Sequence, residues 1–139
     1  VIALRLLGLL ALVTVNGFFA AVEFSLVAVR LSRVRQLMEE GDPRARIVLD
    51  LLGHLDRVVS GVQVGITLTS LGLGALGEAT LAGLLSPLVA TVPGRHTVFV
   101  VHAVSLAVAF MLLTIVHVVL GELVPKSISL QRAGPVALL

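Results

Sequence analysis

The 139-residue chain has no cysteine, no tryptophan and no tyrosine, and only 13% of its residues are charged. Without cysteine there is no disulfide framework and no thiolate metal site. Charge at about half the usual share, with 58% hydrophobic residues and a mean hydropathy of +1.11, excludes an ordinary water-soluble domain. The formal charge of +2 is small and not interleaved with aromatics, which points away from nucleic acid. The pI near 10.5 reflects arginine as the main cation and the lack of Tyr and Cys. No His-Glu-x-x-His arrangement is present, and nothing else in the chain suggests an enzyme.

What is present is long hydrophobic runs. Residues 2–29 carry only Arg5 and Glu23 as charges, and a span needs roughly 20 apolar residues. A signal peptide is the other reading, but the run is too long and has no small-residue cleavage site before a polar start. A second run, about 58–92, carries only Glu78 and six glycines: Gly61, Gly65, Gly72, Gly74, Gly77 and Gly83. It is too long for one straight span, so a break is expected near 72–77, followed by a shorter outer helix. Gly61 and Gly65 make a small-xxx-small pair that permits close helix approach, one candidate dimer contact. Pro93-Gly94-Arg95-His96 reads as a turn. A third run, about 97–123, ends in Gly121-Glu122-Leu123-Val124-Pro125-Lys126.

Between the first two runs, residues 30–57 hold six arginines, with Leu31, Val34, Leu37, Met38, Ile47, Val48, Leu51, Leu52 and Leu55 at helical spacing. Gly41-Asp42-Pro43 splits the pattern into two amphipathic helices lying in the membrane interface. A soluble helical hairpin is the plainer alternative. The expected fold is therefore an all-α membrane protein: three transmembrane helices, the second and third broken or kinked, plus juxtamembrane helices. All 139 residues read as a single transmembrane domain, a segment of a longer protein. The arginine-rich segment, with Lys126 and Arg132, predicts a cytoplasmic C-terminus and an outside N-terminus, against one contrary vote from Arg5.

Polar groups inside a membrane are expensive and usually functional. They are Asn16, Glu23, Ser25, Gln63, Thr67, Thr69, Ser70, Glu78, His102, His117 and Glu122. Pro125 has no N–H, so the Gly121 carbonyl four residues back loses its helical partner. That carbonyl beside the Glu122 carboxylate makes two hard oxygen ligands at a helix bend. One reading is a cation site; the other is a proline kink repaired by water or a serine, with Glu122 reaching to the interface. The other spans add only hydroxyl and amide oxygens, a set suited to Mg²⁺, Ca²⁺ or Na⁺ rather than copper or zinc. Ser25 and Ser70 taken singly read first as hydroxyls bonded back to their own helices. At about 1.5 Å per residue, Ser70 lies deeper than Ser25 or Glu122. Either the first and third helices continue below the surface or a water-filled cavity dips inward. His102 and His117 fall roughly on one side of the third helix. Bis-imidazole haem ligation is one option there, and satisfied packing histidines are the simpler one.

Several of these motifs occur together. Asn16-Gly17-Phe18-Phe19-Ala20-Ala21-Val22-Glu23-Phe24-Ser25, the Arg-Leu-Ser-Arg run, Gln63-Val64-Gly65-Ile66-Thr67-Leu68, Gly77-Glu78 and Gly121-Glu122-Leu123-Val124-Pro125-Lys126 resemble the transmembrane domain of the CorC / cyclin M (CNNM) family. The likeness covers nearly the whole chain. It implies magnesium transport, commonly described as Na⁺-coupled Mg²⁺ export across the cell (inner) membrane, by a homodimer of three-span protomers. A cytosolic CBS-domain pair, which binds adenine nucleotides, usually follows in the family; it is absent from this sequence. The likeness maps Mg²⁺ binding onto Ser25, Gly121, Glu122 and a second-span residue, placed at Ser70 with Thr67 and Thr69 as rivals. Asn16, Glu23 and Gln63 are expected to support the site or hold Na⁺, and Pro125 to kink the helix. The arginine-rich segment is expected on anionic lipid head groups. A different class, a non-transporting membrane anchor or Mg²⁺ sensor for regulatory domains, stays open.

Overall fold

The computed structural model describes residues 2–89 and 95–138, and the side chains of these apart from those at 82, 85, 86, 88, 89, 95–98, 101 and 102. Among the described residues every regular element is helical. Helix α1 spans Ile2–Ala28, α2 Leu31–Glu39, α3 Pro43–Gly53 and α4 Leu55–Val89. Helix α5 spans Arg95–Val118, passes through a π-helical turn at Val119–Leu123 into α6 (Val124–Gln131), and α7 covers Ala133–Ala137.

Three stretches are long and apolar enough to cross a membrane: Ile2–Ala28, Leu55–Leu81 and Ala103–Gln131. Their outward faces carry large apolar side chains, among them Leu7, Leu10, Leu68, Leu71 and Met111. The interior is comparatively polar: Asn16, Ser25, Thr69, Thr80 and Ser129 are all buried. This inversion suits lipid as solvent, where an apolar face needs no protein cover and a polar group does.

Three expectations change. No break occurs at 72–77; α4 is one helix over its 35 residues. The glycines there accommodate neighbours instead of ending the helix. A Cβ at Gly72 would press on Leu12 of α1, and one at Gly77 would collide with Leu113 of α5. Gly65 likewise receives the Phe19 ring, while Gly61 faces open space. The third span does not stop at Leu123 either, because the helical path continues to Gln131. Arg95 and His96 belong to α5 and not to a turn. Pro93 and Gly94, and the second run's end at 90–92, lie outside the described residues.

At the arginine-rich end, α2 finishes at Gly41, whose φ of +91° suits a residue without a Cβ. The Asp42 carboxylate then accepts from the Arg44 N–H at 2.9 Å, and Pro43 opens α3. Val34, Ala45 and Val48 turn inward onto Leu26 and form the apolar core under the first span.

Candidate cation site

The π turn defines the site. Its cap bond runs from the Val124 N–H to the Val119 carbonyl, five residues back instead of four. Pro125 follows, and it has no N–H to offer the Gly121 carbonyl. Helix α1 packs against this turn through Gly17, where a Cβ would lie 3.1 Å from Pro125 Cγ and 3.9 Å from the Gly121 oxygen. A glycine at that point lets the two backbones approach closely.

The approach delivers Asn16, which is 0% exposed. Its Nδ2 donates to the Gly121 carbonyl at 3.1 Å. Its Oδ1 accepts from the Thr69 hydroxyl of α4 at 2.6 Å. The amide orientation is forced, because a carbonyl can only accept. Thr69 also lies 2.9 Å from the Gly65 and Ile66 carbonyls of its own helix. Its single proton goes to Asn16, whose oxygen has no other donor among the described residues. One amide thus ties α1, α4 and the π turn together.

Glu122 sits next to this junction, half-buried. Among the described residues its carboxylate has neither a hydrogen bond nor an ion pair. Lys126, one helical turn on, rests over the Phe24 ring at 4.3 Å from its centroid instead. No three His, Cys, Asp or Glu side chains gather anywhere among the described residues.

The other expected residues lie elsewhere. Ser25 is buried, donates to the Val22 carbonyl at 3.0 Å, and lines a cavity of about 350 Å³ between α1, α3 and α7. Ser70 lines a separate cavity of about 200 Å³ between α4 and α5, with Thr114 and His117. Thr67 is exposed and bonds back to the Gln63 carbonyl at 2.8 Å; Gln63 is exposed too. Glu23 is half-buried and makes no hydrogen bond or ion pair among the described residues. The structure therefore brings Asn16, Thr69 and Gly121 together beside Glu122, and leaves Ser25 and Ser70 in different cavities.

His117 belongs to this neighbourhood, a feature the sequence reading passed over. A Cβ on Gly121 would stand 2.9 Å from its Cδ2. Its Nε2 is buried without a hydrogen-bond partner among the described residues. The signal was its position four residues before Gly121, one turn away on the same face. The His102 side chain lies outside the described residues.

Residues 7–139 match the cyclin M transmembrane N-terminal domain. The chain is 46% identical over 137 residues to the UPF0053 protein YhdT of Bacillus subtilis, covering 99% of this chain and 29% of that protein. It is 43% identical over 135 residues to the UPF0053 protein YugS of the same organism, covering 97% and 31%. It is also 38% identical over 137 residues to the uncharacterized protein Rv1841c of Mycobacterium tuberculosis, covering 97% and 36%. The chain thus spans about a third or less of the length of these relatives.

Proposed function

Since the chain belongs to the cyclin M (CorC) family of membrane proteins, we propose that it carries Mg²⁺ across the membrane, exchanging it for Na⁺ in the direction of export. The supporting observation is the junction itself: a buried amide, a threonine hydroxyl and a proline-freed carbonyl converge beside a carboxylate that has no counter-ion among the described residues. Mg²⁺ is held by hard oxygens and gives up its water reluctantly. A set of neutral oxygens with one carboxylate would hold it loosely enough to release it.

In this reading Glu122, the Gly121 carbonyl, Asn16 Oδ1 and Thr69 Oγ1 replace part of the hydration shell. Asn16 uses its N–H on one lone pair of the Gly121 oxygen and leaves the other for the ion. Ser25 and Ser70 complete the shell when α1 and α4 shift against the π turn. Na⁺ competes for the same oxygens, or binds near Asn16 and Glu23. The arginine-rich end faces the cytoplasm, and the site lies toward it, where an exporter loads. The working unit is a homodimer in the cell membrane, regulated by a CBS pair in the longer protein.

One observation favours the anchor or sensor reading. Asn16 already satisfies both Gly121 and Thr69 without any ion. Flux separates the two. Proteoliposomes loaded with Mg²⁺ should release it, faster with an opposing Na⁺ gradient. Mg²⁺ binding without flux would leave the sensor, and no effect of Na⁺ would remove the exchange.

A further inference from the structure

The cavity beside Ser25 is a poor path for a cation. Its walls are the apolar faces of three helices, with Phe18, Val22 and Leu26 from α1 and Ile47 and Leu51 from α3. The Ser25 hydroxyl is spent on its own helix at 3.0 Å. The one charged side chain in the lining is Arg44, which repels cations.

The same features suit a different occupant. Apolar walls whose one hydroxyl is already spent favour a hydrocarbon chain over water. Phe18 and Ile47, 63% and 62% exposed, open the cavity sideways onto the apolar belt that faces lipid, so a chain can enter from the bilayer. Arg44 marks the polar end. It is exposed, and a guanidinium carries five donors. One of them reaches the Leu138 carbonyl at 3.4 Å, and no carboxylate lies within ion-pair distance among the described residues. Arginine matches phosphate oxygens two at a time. Arg44 also sits in the arginine-rich segment, at the level where a basic pocket between helices meets head groups.

We propose that this cavity is a binding site for an anionic phospholipid, one acyl chain lying between α1, α3 and α7 and the phosphate held by Arg44. The cavity shares Ser25 with the proposed ion shell, but its lipid site stands whether or not the chain moves Mg²⁺.

The test is native mass spectrometry of the purified chain, equilibrated with mixed micelles of phosphatidylglycerol or phosphatidylcholine. Wild type should retain phosphatidylglycerol several-fold better than phosphatidylcholine. Arg44→Gln should lose that preference, and Arg35→Gln, an exposed arginine outside the cavity, should keep it. Equal loss in both variants would mean diffuse attraction to the basic segment and overturn the site, as would equal retention of both lipids by wild type. A photo-crosslinker at Ile47 gives a second readout. An adduct of lipid mass supports the proposal, and an adduct with a second copy or with the chain's own continuation overturns it.

Discussion

Asn16 and Gly121, 105 residues apart, are joined by a buried side-chain-to-carbonyl hydrogen bond of 3.1 Å. The bond lies where Pro125 withholds the donor that an uninterrupted helix would supply. The carbonyl is therefore held in place by a different helix, and a change at Asn16 acts on both.

Asn16→Ala should destabilise the detergent-purified chain by roughly 2 kcal/mol, the cost of leaving a buried carbonyl and hydroxyl without their partner. Asn16→Asp is the sharper variant. It sets a second carboxylate against Gly121 and Glu122, so its melting temperature should fall without Mg²⁺ and rise further than that of wild type when Mg²⁺ is added. A melting temperature indifferent to Mg²⁺ in Asn16→Asp would count against an ion at this junction.

Thr69 and Thr67 separate by their partners. Thr69→Val removes the hydroxyl that serves Asn16 and should cost about 1 kcal/mol. Thr67→Val removes only an exposed hydroxyl bonded back to its own helix, and should leave thermal unfolding unchanged. Equal losses from the two would show that Thr69 acts through its own helix alone.

Glu122→Gln should hardly alter the melting temperature of the ion-free chain, because Glu122 has no partner to lose among the described residues. It should abolish the stabilisation by Mg²⁺. A full Mg²⁺ response in Glu122→Gln would place the ion elsewhere.

Lys126 rests over the Phe24 ring and makes no ion pair with Glu122 among the described residues. A cation over a ring is worth about 0.5–1 kcal/mol at an exposed site, more than the roughly 0.2–0.5 kcal/mol of a pair four residues apart on a helix. Phe24→Leu should release Lys126 to the carboxylate and weaken Mg²⁺ binding by about two- to five-fold, read from the Mg²⁺ dependence of the melting temperature. Adding Lys126→Gln should restore it; no recovery would assign Phe24 a packing role only.

The three spans were legible because hydropathy over 20 residues is a bulk property that lipid reads directly. The Gly121-Glu122-Pro125 cluster was legible because the missing N–H of proline is a local fact. The course of α4 was not. Glycine in a membrane helix can mark a break or a close contact, and Leu12, Phe19 and Leu113, which decide the matter, lie far away in sequence. Asn16 stood out as a polar group in a span and as an expected support of the site, but its two partners are long-range. Choosing among Thr67, Thr69 and Ser70 needs the rotation of α4 about its axis, and successive residues differ there by about 100°.

The π turn has one more consequence. Its hydrogen bond closes over five residues where an α-helix closes over four. Everything after Leu123 is therefore out of phase with α5 by about one residue, or about 100°. Straightening the turn into α-helix with the sequence intact would carry the exposed Ile128 into the place of the buried Ser129. The surplus residue works as a keyway, since it sets which face of the last helix meets the rest of the bundle.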